Sequence, residues 1–264
     1  MIKKLTLTAL LTASTLYADT IIGGEISLGM YSHSPSGSAA YTLPFELSNP
    51  AVDIEDDLGW DTEQDIIFKA YFEHPVPLFP NIKVAYSSLS HSGQGIVEGF
   101  SWGGIIDLNG EIDTSLDTQM YDLTLYYELL DNVVEIDAGL TLRYLDGDIA
   151  VRTLANFDLP LLPSLSAELI NESTNFDLWI PMLYGKARFN IPSTDISLQL
   201  EANAISYEET TFYDYELSVR YTLAMGLGLE GGYKSIHLDS EDLYDGLVMD
   251  MDSAGPYAAV VWNF

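Results

Sequence analysis

Residues 121–143 read YDLTLYYELLDNVVEIDAGLTLR, and this stretch decides the fold. Odd-numbered positions from Tyr121 to Leu129 are apolar, and the positions between them carry polar or charged groups. After Asp131 and Asn132, the apolar set continues at even-numbered positions from Val134 to Leu142. An alternation of period two on both sides of a tight turn predicts a β-hairpin.

The same alternation recurs to the last residue, and helical periodicity is almost absent. We count ten such segments, each of about ten residues, the length that a tilted strand needs to span a membrane. Nearly every Lys and Arg beyond residue 18 lies on the polar face of a segment, and only Arg152 falls in a predicted loop. A continuous apolar face beside an ionic face predicts an all-β fold, a transmembrane antiparallel up-and-down β-barrel of about ten strands.

The connections alternate in length, which sets the orientation of the barrel. Short turns beside long outer loops are typical of outer-membrane barrels, so we expect short periplasmic turns and long extracellular loops. The predicted turns are 74–81, 130–132, 192–194 and 224–226. The predicted loops are 32–63, 90–118, 146–176, 206–211 and 238–253.

The composition excludes several classes of protein. The chain has 264 residues with a formal net charge of −30, so it repels phosphate and is not expected to bind nucleic acid. It has no Cys, which excludes disulfides, thiolate zinc sites and a lipoprotein anchor. With 47% hydrophobic residues it is too apolar for a disordered acidic chain.

The amino terminus has the features of a secretion signal. Lys3 and Lys4 precede an apolar stretch, residues 5–16, and the small residue Ala18 follows it. We therefore predict a signal peptide over residues 1–18 and a barrel over residues 19–264. The barrel would be exported through the periplasm to a bacterial outer membrane.

The carboxyl terminus and two internal motifs resemble known outer-membrane proteins. Residues 257–264, YAAVVWNF, resemble the signal read by the barrel assembly machinery, with Tyr257, Val260, Trp262 and the terminal Phe264 as its apolar positions. Pro181-Met182-Leu183-Tyr184 with Asn190-Ile191-Pro192, and Tyr121-Asp122 with Tyr126-Tyr127-Glu128, resemble a proteobacterial family of outer-membrane β-barrels without assigned function. The resemblance implies fold and location, and it transfers no catalytic residue.

Ionic side chains on the polar faces would line the lumen. They allow two interpretations: an internal salt-bridge network, or a narrow cation-preferring passage lined by surplus carboxylate. The predicted lumen-lining residues are Glu25, Lys69, Asp122, Glu135, Asp137, Arg143, Lys186, Arg188, Glu201, Glu216, Arg220, Glu230 and Lys234.

Acidic clusters in the loops raise the question of metal binding. The candidate ligands are Asp53, Asp56, Asp57, Asp250 and Asp252, and oxygen ligands of this kind suit calcium or magnesium. Their spacing is not that of a dedicated calcium loop. We therefore predict no cofactor beyond loosely bound divalent cations that bridge the protein to lipopolysaccharide. The expected partners are outer-membrane lipid, lipopolysaccharide and the assembly machinery, with the chain as a monomer.

The histidines leave room for a catalytic alternative. His33, His91 and His237 fall near the outer ends of predicted strands, and His91 is flanked by Ser90 and Ser92. A rim enzyme, either a protease or a lipid acyl hydrolase, is one alternative, and a loop-based adhesin or ligand binder is another. The main prediction is a non-enzymatic envelope component or a narrow passage for ions or small solutes.

Overall fold

A computed structural model describes residues 23–41, 51–76, 78–102, 106–157, 165–241 and 247–264. The predicted signal peptide lies outside these residues. The strands are β1 Gly23–Tyr41, β2 Val52–Asp53, β3 Glu63–Glu73, β4 Asn81–Trp102, β5 Ile106–Leu130, β6 Val134–Phe157, β7 Leu165–Asn190, β8 Ile196–Tyr207, β9 Thr210–Thr222, β10 Leu227–Ser240 and β11 Leu247–Asn263. A 3₁₀ turn, Ala224–Gly226, joins β9 to β10.

These strands form one closed antiparallel sheet. Each long strand pairs with the next along the chain, and β11 pairs with β1 to close the barrel. The two-residue β2 only adds to the edge of β1, so ten strands make the wall and the predicted fold is confirmed. No helix in the described part of the chain is long and apolar enough to cross a membrane.

The closing seam depends on the last residue. Gly24 and Phe264 exchange two backbone hydrogen bonds, of 3.1 and 2.9 Å. The Phe264 ring lies over Gly24 so closely that a Cβ at this glycine would come within 2.5 Å of it. Of the predicted assembly-signal residues, Val260, Trp262 and Phe264 point outward, whereas Tyr257 is buried inside the barrel.

Two aromatic rows delimit the outer apolar surface. We call Tyr86, Tyr121, Tyr144 and Trp179 the upper aromatic row; neighbouring rings lie 5.2, 6.3 and 4.7 Å apart between centroids. The lower aromatic row, near the short turns, comprises Tyr127, Phe189, Tyr221, Trp262 and Phe264. Between the rows, within the described residues, the outward positions carry no charged side chain. Such a band with aromatic borders is typical of a transmembrane barrel.

At the upper aromatic row the apolar side chains change from the outer to the inner face of the wall. On β5, Leu123 and Leu125 are exposed outward below the row, whereas Leu116 and Met120 are buried inward above it. The outward positions above the row are polar, for example Asp117. The wall therefore has an apolar exterior below the row and an apolar interior above it.

The extent of these upper strands corrects the predicted loops. Much of 90–118 and 146–176, predicted as loops, belongs to β4, β5, β6 and β7. Arg152, placed in a loop by the sequence analysis, lies on β6. The physical reason is that extended backbone continues wherever a neighbouring strand supplies hydrogen bonds, even after the apolar pattern changes face.

The membrane boundary predicts opposite outcomes for one substitution at two heights on the same outer face. Leu125→Arg, below the upper aromatic row, should reduce the free energy of unfolding by about 2 to 4 kcal/mol, because it places a charge in hydrocarbon. Ser115→Arg, above the row, should change it by less than about 0.5 kcal/mol, since that face meets water and headgroups. Denaturant unfolding in lipid vesicles measures both, and equal effects would contradict the boundary.

Candidate functional site: the barrel lumen

An ion-pair network fills the lumen between the aromatic rows. Every inward Lys and Arg of the described chain lies within 4.0 Å of at least one carboxylate oxygen. The bases are Lys69, Lys83, Arg143, Lys186, Arg188, Arg220 and Lys234. Pairing of this kind compensates the desolvation of each buried charge.

The centre of the network is a cluster of five residues from five strands. Lys69 pairs with Glu216 and, at 3.1 Å, with Glu201. Lys83 pairs with Glu201 from another strand. Lys234 pairs with Glu216 at 2.8 Å. Each carboxylate therefore bridges two ammonium groups across the lumen.

Arg143 extends the network toward the upper aromatic row. It forms a bidentate pair with Asp122, both contacts being 2.7 Å, and reaches Asp214 at 2.7 Å. A bidentate guanidinium–carboxylate pair fixes both side chains in orientation as well as in charge. This end of the network is therefore rigid.

Two further arginines close the lumen at the end near the short turns. Arg220 donates to Glu25 at 2.7 Å and to Glu230 at 2.8 Å. Arg188 also pairs with Glu25, at 3.2 Å, and with Glu135, at 3.4 Å. Both ends of the membrane-spanning lumen are thus bridged by guanidinium groups.

Tyrosines fill the space between the ionic groups. Tyr71, Tyr126 and Tyr184 form one buried cluster, and Tyr71 donates to Glu201 at 2.8 Å. Lys186 pairs with Asp137 at 2.6 Å and lies 4.9 Å from the centroid of the Tyr71 ring.

The space left among these groups is very small. The cavity among the central ionic groups has a volume of about 20 Å³, which is room for about one water molecule. Among the described residues, ionic and tyrosine side chains thus fill this part of the lumen. All the side chains that were predicted to line the lumen lie inside the barrel, and each takes part in at least one ion pair.

Four strands bring two predicted histidines together with Asp65 and Ser253 above the network. His33 Nε2 donates to Asp65 at 3.0 Å, and His33 Nδ1 lies 3.2 Å from His91 Nε2 and 3.1 Å from Ser253 Oγ. Asp65 also accepts from the backbone N–H of Ser90, at 2.7 Å. Burial would raise the pKa of Asp65, but the hydrogen bonds from His33 and Ser90 lower it.

The contacts in this cluster follow the order of a hydrolytic triad, but its serine and histidine side chains are not accessible to solvent. Ser253, His33 and Asp65 correspond to nucleophile, base and carboxylate in their contacts. However, Ser253 and His33 are both 0% exposed. Trp60 stacks on His91 at 5.5 Å between ring centroids and separates it from the lumen above. Ser253 is therefore not exposed to solvent in this arrangement.

The segment that carries Trp60 folds into the mouth of the barrel. Val52, Ile54, Leu58 and Trp60 are buried, and the Trp60 indole donates to Thr114 at 2.7 Å.

The predicted metal candidates in this segment stabilise its turn. Asp53 accepts the backbone N–H groups of Glu55 and Asp56, at 2.9 and 2.8 Å, and Asp57 accepts the N–H of Asp53, at 2.9 Å. Asp53 and Asp57 are thus already engaged in local hydrogen bonds, as is usual for aspartates in turns.

A large apolar cavity occupies the lumen above the ion-pair network. Its volume is about 1350 Å³. Aliphatic, methionine and aromatic side chains dominate its lining. They include Ile54, Leu58, Trp60, Leu89, Ile112, Leu116, Met120, Leu145, Ile149, Val151, Phe176, Leu178, Phe212, Ile236, Leu238, Met249 and Met251. Phe212 also lies 5.2 Å from the Arg143 guanidinium, so the cavity begins where the network ends.

The sequence analysis missed this cavity, although a signal for it exists. Positions 112, 116 and 120 are apolar and alternate with polar or charged residues, but they occupy the opposite face to the apolar positions that begin at Tyr121. The same change occurs on β6 between Tyr144 and Leu145. A change of the apolar face within one strand marks the passage from a lipid-facing to an interior-facing apolar surface.

The remaining metal candidates lie on the outer surface, above the lipid-facing band. His237 Nδ1 is 2.9 Å from Asp252, and ligand atoms of His237, Asp250 and Asp252 all lie within 4.8 Å of one another. Within the described chain, this is the one such group of three residues. Its height fits the predicted loose binding of divalent cations near lipopolysaccharide, which remains a prediction.

No protein-family model and no curated protein matches the chain. The likeness to a proteobacterial family, drawn from short motifs, therefore remains a prediction.

Among solved structures, the chain is similar in fold to several outer-membrane proteins. Ail of Yersinia pestis, solved with the heparin analogue sucrose octasulfate, is 9% identical with a TM-score of 0.35, covering 92% of this chain and 99% of Ail. The transport unit of the autotransporter AIDA-I from Escherichia coli is 9% identical (TM-score 0.36; 98% and 95% covered). A major outer membrane protein from Thermus thermophilus is 10% identical (TM-score 0.37; 91% and 99% covered). Similarity at this level assigns no ligand or activity.

The burial of His91 predicts a pH dependence of stability. Burial, followed by repulsion from His33, lowers the pKa of His91 to about 4, whereas in the unfolded chain it is about 6.5. Between these values the unfolded state binds the extra proton, so stability falls as the pH falls. From pH 7.5 to 5 the loss should be about 2 kcal/mol.

Urea unfolding in vesicles at the two pH values measures this loss. His91→Phe, which keeps an aromatic ring against Trp60, should remove most of it. His74→Gln, in the turn between β3 and β4, should retain the wild-type dependence. An undiminished loss in His91→Phe would contradict the assignment.

Proposed function

We propose that the chain is an integral outer-membrane β-barrel whose membrane-spanning lumen is closed to ions, and that it serves the envelope as a closed barrel with an outward-facing chamber. The observation that supports this most strongly is the ion-pair network, in which each inward base is paired. A conducting pore needs a continuous water-filled path, and the space among the central ionic groups holds about one water molecule.

The dimensions of the wall support the membrane location. Trp179 in the upper aromatic row and Phe189 in the lower are separated by ten residues on β7. At about 3.3 Å per residue and a tilt of about 40°, this span rises about 25 Å, the height of the apolar band of an outer-membrane barrel. Exposed leucines between the rows, among them Leu183 at 68%, would aggregate the chain in water.

The closed lumen also separates this proposal from its alternatives. Leaving one charge of a buried ion pair without its partner costs about 3 to 5 kcal/mol, so the network does not open by ordinary side-chain motion. A rim enzyme gains no support from the His33 cluster, because Ser253 is fully buried. A loop-based adhesin remains a prediction that these contacts do not address.

Planar-bilayer recordings test the closed lumen. The wild-type protein, refolded and checked by heat-modifiable gel mobility, should give no reproducible conductance steps. Reproducible cation-selective steps would contradict the proposal and favour the narrow passage.

Two charge-balanced variants sharpen the test. Lys69, Lys83, Glu201 and Glu216 all replaced by Ala should introduce steps, because two bases and two acids leave the centre of the lumen together. The matched control, Arg188→Ala with Glu135→Ala, removes one base and one acid from the periplasmic end and should stay silent, since the central cluster remains.

A further inference from the structure

We propose that the apolar cavity above the network binds an uncharged, largely hydrocarbon molecule, which exchanges with the outer leaflet of the membrane through an opening in the wall between β7 and β8. This goes beyond the closed barrel proposed above, which requires no ligand. The argument rests on the lining of the cavity, the charges at its mouth and the pairing of the two strands.

The lining selects the chemistry of the ligand. Side chains such as Leu116, Ile149, Phe176 and Met251 project into the cavity, and its polar lining is mainly threonine hydroxyls within and residues of the β8–β9 turn at the rim. A cavity of about 1350 Å³ exceeds the usual size of a small-molecule site. Filling it with hydrocarbon removes apolar surface from water, whereas the described residues that line its interior offer no partner for a buried charge.

The charged side chains at the rim of the cavity disfavour anionic ligands. Glu208 and Glu209, at the turn between β8 and β9, line the rim of the cavity and are exposed. The whole chain carries a formal charge of −30. A carboxylate or phosphate would meet repulsion here, so an alcohol or a hydrocarbon binds in preference to a fatty-acid anion of the same length.

The wall has an opening at the height of the upper aromatic row. The pairing of β7 with β8 ends at Leu183↔Ala204, although β7 continues upward and pairs with β6 as far as Leu165. Trp179 and Pro181, which point outward, nevertheless line the cavity together with residues that point inward. The cavity therefore reaches the outer surface between these two strands.

Pro181 accounts for the end of the pairing. The N–H of Ile191 bonds to Ile196 on β8, whereas that of Asn190 bonds to Val133 at the base of β6. Because backbone groups alternate sides along a strand, the nitrogen of Pro181 faces β8, and proline has no N–H to donate. The ladder stops just below this residue, at the upper border of the membrane band, so the opening adjoins the outer leaflet at the level of the upper aromatic row.

Binding is tested with N-phenyl-1-naphthylamine, an uncharged apolar fluorophore, and protein refolded in lipid vesicles. We expect saturable binding above the partitioning into protein-free vesicles. Leu116→Trp with Ile149→Trp, a cross-strand pair inside the cavity, should weaken binding at least tenfold. Ser115→Trp with Ala150→Trp, the adjacent pair facing outward, should stay within twofold. Equal affinity in the two variants, or no saturable binding, overturns the proposal.

The wild-type protein alone provides a second test, independent of whether the variants fold. Dodecanol should displace the fluorophore at a concentration at least tenfold lower than dodecanoate does at pH 8. Equal displacement by the two would overturn the selection against anions, and displacement by neither would overturn the site. Heat-modifiable mobility of the same samples reports folding, so loss of the barrel is distinguished from loss of binding.

The route is tested by joining the strands. The chain has no Cys, so Pro181→Cys with Ser206→Cys, which lie two residues above the last pair, introduces the only thiols. Because Pro181→Cys also restores a backbone N–H, the reference is the same variant without the linker. A short bismaleimide between the two thiols should slow uptake of membrane-dissolved fluorophore at least fivefold relative to it. The same link in Leu183→Cys with Ala204→Cys, where the strands already pair, should not. Unchanged uptake from the membrane in the first variant, with fast uptake from water, would overturn the lateral route.

Discussion

The structure depends on one constraint: the outer face of the barrel wall meets hydrocarbon below the upper aromatic row and water above it. The upper aromatic row marks the boundary, and the backbone crosses it without interruption. Since successive side chains alternate between faces, the apolar set changes face at the boundary, as at Met120 and Tyr121 on β5. Below the row the barrel is apolar outside, and above it the barrel is apolar inside.

At each height, the polarity of the enclosed face follows from the medium that the outer face meets. Where lipid takes the apolar face, the polar face must be enclosed, and its charges are stable only when they pair; Arg220 does so with Glu25 and Glu230. Where water takes the outer face, the enclosed face is apolar. Because ten strands enclose more space than these side chains fill, a cavity remains there. The ion-pair network thus forms the lower boundary of the apolar cavity.

The sequence predicted the part of the fold that depends on local pattern: the number of strands, the short turns and the face of each membrane-spanning segment. It could not predict contacts set by closure of the barrel, such as Arg220 with Glu25, 195 positions apart. Nor could it assemble His33, Asp65 and Ser253, which come from three strands. The cavity was missed for a different reason, because Gly- and Ser-containing stretches such as 90–95 suggested loops although their partners hold them extended.

The strands of the wall also differ in length, and this difference determines on which side the cavity opens. β6 and β7 continue to Phe157 and Leu165, whereas β8 ends at Tyr207. A long strand beside a short one must leave unpaired backbone, which is costly in hydrocarbon but tolerable at the interface. The break lies at that interface, beside Trp179 and just above the last pair with β8. A proline at this height therefore ends the ladder where the cost of unpaired backbone is low, and an apolar chamber adjoins the membrane at the same place.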